Sequence, residues 1–337
     1  MSRLIKVVSL VFGLGLVIWL FWQANPGRVW EVVKSLGAWA PLLLLPYGLV
    51  YLVDTAGWRF AFGRDWPRPL SFGRLLRIRW AGEAVNNLVP SGYLGGEAVK
   101  VYLLRKAGVS GWTGTTSVVV SKTVQILAQV MFIGLGAFLG GMHLAVGSPM
   151  RQAMWIVAGL AAVVLLVLVG VQYCGFLKTV GRLARLSRRV RWWFDQHRER
   201  VRVVDDEIRG FYRRQPGWFA LSVGAYFAGW VCDSIEIWLV SAMFGGTLDW
   251  TQAMAIEAFV GVAKALGTFV PASMGVQESG VVLLFRAFGL GSTEALAYAL
   301  IRRARELVYA LVGLGFLWWQ EASFRQLKSR VLSETAR

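Results

Sequence analysis

Two stretches of this chain place a proline, a carboxylate and a cation in the same order at the same spacing. Val89-Pro90 is followed by Glu97 and Arg105, and Val270-Pro271 by Glu278 and Arg286. Each pair is 181 positions apart, and the same offset relates Lys122 to Arg303, both inside apolar runs. Ionisable groups in such surroundings are costly unless they pair or face a polar cavity, so their repetition marks a site. After each proline a glycine-containing turn opens a new half-helix, whose N–H groups and positive dipole end favour an anion. The candidate residues are Asn87, Pro90, Gly95, Gly96, Glu97, Lys100 and Lys122 in the first copy. In the second they are Pro271, Gly275, Glu278, Arg302 and Arg303. Lys and Arg would supply charge, and Gly would let backbone approach a ligand. Glu97 and Glu278 read either as counter-ions or as proton carriers.

The elements that must hold these residues are apolar. Of 337 residues, 56% are hydrophobic, and the mean hydropathy is +0.53, which excludes an ordinary soluble domain. Many of the 17 tryptophans stand near segment ends, as in a membrane-interface belt. The net charge of +17 lies between the apolar runs, without any nucleic-acid module, so nucleic acid is not the expected partner. Cys174 and Cys232 offer neither a disulfide framework nor zinc spacing.

A spanning helix needs about 20 apolar residues. Candidates are 4–22 (a retained first span), 41–62, 112–140, 150–174, 217–242 and 292–320. Two further stretches, 81–105 and 252–288, are interrupted at their prolines and are expected as re-entrant hairpins, since broken backbone at membrane depth must be buried in protein or line a wet cavity. The basic stretches 63–80 and 175–216 place those segments, and both termini, on the cytoplasmic side. Residues 41–140 and 222–321 then become inverted repeats. The expected fold is an all-α polytopic membrane protein forming one transmembrane domain over 1–337, with about six spanning helices and two hairpins. The connector 175–216 alternates Arg with Leu, Val and Trp, as a helix lying on anionic lipid would.

An anion that enters such a pocket is best supplied by a lipid whose tails stay in the bilayer: an anionic phospholipid or a polyprenyl phosphate. An enzyme is not expected. His143 and His197 lie near no nucleophile or metal-ligand cluster, and there is no Walker loop, nucleophile elbow or His-Glu-x-x-His. No cofactor or metal is expected. Asp54, Arg59, Asp233, Glu236, Glu257 and Lys264 read as local ion pairs, and Arg305 as a side chain that snorkels to the surface.

Pro90 with Gly96-Glu97 and Lys100, and Pro271 with Gly275-Val276-Gln277-Glu278, resemble the flippase-like transmembrane domain of lysylphosphatidylglycerol synthases, which also occurs as stand-alone membrane proteins. The resemblance implies lipid translocation in a bacterial inner membrane. It does not imply lysine transfer, because the soluble aminoacyltransferase domain of the name-giving enzymes is absent. Two other readings stay open: a non-transporting scaffold for lipid or glycan biosynthesis enzymes, docking through 175–216, and a small-anion transporter. Gly134, Gly136 and Gly140 could pack helices within one protomer or in a homo-oligomer.

Overall fold

Helices form where the apolar runs fall. The structure, a computed structural model, describes residues 37–88, 94–174, 209–266 and 276–335, with isolated positions at 27, 30, 31, 34 and 206. A 3-10 turn, Gly37–Leu44, leads into α1 (Leu45–Ala61). Then follow α2 (Phe72–Leu88), α3 (Leu94–Lys106), α4 (Gly111–His143) and α5 (Pro149–Cys174). Beyond the connector come α6 (Pro216–Met243), α7 (Trp250–Leu266), α8 (Val276–Ala287) and α9 (Ser292–Thr335). There is no strand among the described residues, and three helices (Gly111–His143, Pro149–Gly170 and Pro216–Met243) are long and apolar enough to cross a membrane. The protein is an all-α membrane protein. The expected first span, Pro90, Pro271, Gly275 and most of the connector lie outside the described residues, as does the side chain of Glu278.

The element boundaries follow the 181-residue spacing. It carries Lys106, the end of α3, to Ala287, the end of α8, and Gly111 to Ser292, where α4 and α9 begin. The turns after α3 and α8 are also built alike. Gly108 and Gly289 take left-handed φ values of 86° and 80°. Next to them the N–H of Val109 reaches Leu104 O at 3.1 Å, and that of Leu290 reaches Phe285 O at 2.8 Å. This is the six-to-one bond of a glycine-terminated helix.

One boundary differs from expectation. Arg74, Arg77 and Arg79, expected in a loop running to Trp80, stand on α2. Leu75, Ile78 and Ala81 recur there at helical spacing and are fully buried, so an apolar face holds the basic stretch in a helix.

The chain forms two compact units. One holds α2, α3, the end of α7, α8 and α9; the other holds α1, α4, α5, α6 and most of α7. In the latter, small residues let backbones approach, as membrane helices require. Gly57 on α1 faces the ring of Tyr226 on α6, and Ser222 Oγ donates to Gly57 O at 2.7 Å. Gly136 and Gly140 on α4 lie against Ala258 and Ala255 of α7. Phe132 stacks on Trp230 at 5.8 Å. Only 11% of the α5 spanning window is buried, and Ile156, Leu160, Val163 and Val167 are exposed. A face this apolar belongs in lipid.

Helix ends follow the sequence. Ser110 caps α4 by accepting from Thr113 N at 3.1 Å. Asp249 caps α7, accepting from Gln252 N at 2.8 Å while its own N–H donates to Gln252 Oε1 at 3.1 Å, a reciprocal capping box.

Candidate functional site

The α2–α3 hairpin closes because its two arms carry glycine where they meet. A Cβ on Gly82 would lie 2.6 Å from the Lys100 side chain and 3.0 Å from Gly96 O. One on Gly96 would collide with Gly82 O and the Asn86 amide. Across this contact Asn86 Oδ1 accepts from Gly96 N at 2.8 Å, and Asn86 Nδ2 points at Glu97 Oε1 at 3.5 Å. The amide that bridges the arms is that of Asn86, the neighbour of the substrate-binding candidate Asn87.

Lys100 lies at the centre. Its side chain is 5% exposed, and Nζ donates to Glu83 Oε1 at 2.7 Å and to Glu97 Oε1 at 3.0 Å. Arg79 Nη2 stands 4.0 Å from the same Glu83 oxygen. Two carboxylates, Glu83 and Glu97, thus face two cations, Arg79 and Lys100, and this buried cluster is formally neutral. Burying this many charges is tolerable only with such pairing. Glu83 escaped the sequence reading. Its one signal was its place four residues after Arg79, and its partner on the other arm is met only once the hairpin folds.

A second polar cluster stands on α9. Arg302, 2% exposed, donates from Nη1 to Tyr298 Oη at 2.7 Å, with Nε 3.7 Å from Glu306 Oε1. Arg303 donates from Nη1 to Glu306 Oε2 at 2.9 Å. Tyr298, Arg302 and Glu306 fall at i, i+4 and i+8, one stripe of the helix. The Tyr298 ring stacks on Phe285 of α8 at 5.7 Å. Arg305 is 1% exposed, so it does not snorkel. Its helix face is covered where α9 packs on α2. There Trp80 Nε1 donates to Tyr309 O at 2.8 Å, and the two rings stack at 5.1 Å. Gly313 lies against Trp80 and Ala84, and Arg77 lies over the Trp319 ring at 4.9 Å. The register is antiparallel, so the arginine stripe continues toward the C-terminal end of α2. Arg302 and Arg303 both reach Glu306, and Arg305 stands beside them on the same helix.

Lys122 belongs to the other compact unit, on α4. It is half-buried, and Nζ reaches Gln125 Oε1 at 3.4 Å. On either side of it, Ser121 shares a hydrogen bond with Tyr226 Oη, and Thr123 Oγ1 receives one from Tyr212 Oη at 3.1 Å. Burial pushes the Tyr212 phenol up to about 12, against the smaller opposing effect of the Thr123 hydrogen bond. Gln129 Nε2 donates to Gly261 O at 3.5 Å. Lys122 thus stands on a polar stripe of α4.

Residues 6–315 match the family described as the lysylphosphatidylglycerol synthase TM region. The chain belongs to this family. A relative, a UPF0104 membrane protein of Pyrococcus horikoshii, is 22% identical over 316 residues, covering 88% of this chain and 92% of its own length. Another UPF0104 membrane protein, from Methanothermobacter thermautotrophicus, is 22% identical over 308 residues, covering 84% of this chain and 85% of its own. No solved structure matches. Family membership over nearly the whole length, with the long apolar helices, makes this a multi-pass membrane protein.

Proposed function

We propose that this protein moves an anionic lipid, a phospholipid or a polyprenyl phosphate, between membrane leaflets, binding its head group at membrane depth. The reading is carried by one observation: three arginines, Arg302, Arg303 and Arg305, stand within four positions of α9, enclosed or half-enclosed, in a membrane protein. Buried cations in membrane helices face protein partners or an anionic cargo. Here a phosphate matches the guanidinium forks. The lysylphosphatidylglycerol in the family's name is a phospholipid, which supports a lipid substrate without identifying it.

The remaining architecture follows as part of the same proposal. Six spans and two re-entrant hairpins, related as inverted repeats, alternate the site between leaflets. The membrane is a bacterial cytoplasmic membrane with both termini inside. The protein carries out transport, not covalent chemistry. Lys100, whose charge is already shared by two carboxylates, acts as the electrostatic pin of the first hairpin, and Glu97 is the carboxylate most easily exchanged for a head-group phosphate.

Native mass spectrometry on protein released gently from its own membrane tests this. Wild type is expected to retain a phospholipid or polyprenyl phosphate, and an Arg302→Ala/Arg303→Ala variant to lose it. Equal retention by both would move the site elsewhere, and retention by neither would favour the scaffold reading.

A further inference from the structure

We propose that the unit built from α1, α4 and α6 carries a separate binding site for a hydroxyl-rich group, a polyol or sugar. Where α1 ends and α4 and α6 begin there is a cavity of about 570 Å³, within the roughly 300–1,000 Å³ of small-molecule sites. Its walls are fixed by local structure. Gln215, the residue before α6, accepts Arg64 N on its Oε1 at 2.9 Å, beside Gly63, whose φ of 62° makes the turn after α1. That clamp ties the turn bearing Asp65 to the start of α6.

One wall is a stripe of hydroxyls. Thr113, Thr116 and Ser117 fall at i, i+3 and i+4 on α4, and Val120 continues the same face one turn on. Ser117 Oγ donates to Gly114 O at 2.9 Å. Thr116 Oγ1 is buried with no hydrogen-bond partner among the described residues. A buried hydroxyl costs free energy until something bonds it. Turned about χ1 toward the cavity, it would find that bond in a ligand hydroxyl.

The charges decide the class of ligand. Asp65 and Asp206 line the cavity against one cation, Arg214. A phosphate would meet a surplus of negative charge, and an amine would meet the guanidinium. No group of three His, Cys, Asp or Glu suited to a metal ion occurs among the described residues. Hydroxyls are served by both kinds of group, since they donate to carboxylates and accept from Arg214 and the Gln215 amide. Phe62 and Phe211 add apolar wall for the C–H faces of a ring or chain.

The polyol could be a lipid head group or a soluble sugar, and the test separates them. The protein is purified in a sugar-free detergent, because maltoside heads would compete, and placed in nanodiscs. Saturation-transfer NMR then probes methyl β-glucoside, and native mass spectrometry compares retention of glucosyl diacylglycerol with that of diacylglycerol. Binding of either glucosylated probe supports the site and names its source. Thr116→Val and Asp65→Asn should each weaken it about fivefold, the scale of one hydrogen bond. Retention of anionic lipid, which depends on Arg302 and Arg303 in the other unit, should not change. Three results would overturn the proposal: no glucosylated probe bound, binding indifferent to both substitutions, or ethanolamine bound in preference. None of them would touch the anionic-lipid reading.

Discussion

Lys100 and Glu83 stand on opposite arms of one helical hairpin with their charged atoms 2.7 Å apart, and Lys100 reaches Glu97 on its own arm at 3.0 Å. The two bonds are not equivalent. The Glu97 pair spans three residues of a single helix and would survive separation of the arms, whereas the Glu83 pair exists only while the hairpin is closed. The charge on Lys100 is therefore a fastener first, and a ligand contact only if a carboxylate yields.

That asymmetry orders the stability of three variants. Lys100→Ala removes the cation that both carboxylates share, leaving only Arg79 at 4.0 Å from Glu83, and should cost the most, about 3–5 kcal/mol, as for breaking a buried pair. Glu83→Ala should come next because it removes the bond between the arms, and Glu97→Ala should cost least. Equilibrium unfolding in detergent ranks them. Equal losses for Glu83→Ala and Glu97→Ala would show that the cross-arm bond is not special.

Glycine substitutions probe the same closure sterically. Gly82→Ala and Gly96→Ala drive a methyl into Lys100 and Asn86, and each should destabilise by about 1–3 kcal/mol, as overpacking does. Gly73→Ala on the same helix meets nothing within 4 Å and should be neutral, or stabilising by up to about 1 kcal/mol through helix propensity. Thermal unfolding of the three variants side by side separates packing from propensity.

Outside the spanning segments, the α7 cap gives a pH dependence. Burial pushes the Asp249 carboxyl up, but hydrogen bonds from Thr251 and Gln252 and the charge of His143 outweigh it, leaving the group below the usual carboxylate value. A depressed folded value contributes stability that is present above the unfolded pKa, about 3.9, and lost as pH falls through the folded one. Asp249→Asn keeps a capping oxygen without the charge. The lead of wild type over this variant should hold from about pH 7 down to about pH 4 and close below that. A lead that persists at the lowest pH would mean the carboxylate charge is not its source.

Much of this architecture was readable from spacing. The fixed offset that related 41–140 to 222–321 in sequence recurs in the ends of α3 and α8 and the starts of α4 and α9, while the prolines at 90 and 271 lie outside the described residues. What spacing could not reveal depends on which side chains meet. Asn86 and Asn87 are indistinguishable in sequence, and only the closed hairpin turns one of them onto Gly96 N. Glu83 lay just past the basic run 63–80, which looked like a loop until Leu75, Ile78 and Ala81 proved to be buried and carried Arg79 onto the same helix. Arg305 looked free to reach the surface, but the packing of Tyr309 and Gly313 on α2 encloses it. The paired glycines 108 and 289 carried a legible signal, the same residue ending two half-helices at the same offset.

The last prediction concerns how Arg302 is held. Tyr298 Oη accepts its Nη1 donor at 2.7 Å, while the Tyr298 ring is fixed by stacking on Phe285. Tyr298→Phe removes the oxygen and keeps the ring, so the fold should survive while the guanidinium loses its aim. If Arg302 presents its planar fork to a head-group phosphate, retention of anionic lipid should fall about tenfold, as expected for one hydrogen bond to a charged group. Arg302→Lys keeps the charge without the fork and should fall similarly, because bidentate contact is what lysine cannot reproduce. Native mass spectrometry at matched ionic strength reads both. Full retention by Arg302→Lys with loss in Arg302→Ala would make the arginine a simple counter-charge. Full retention by Tyr298→Phe would remove the phenol from the site.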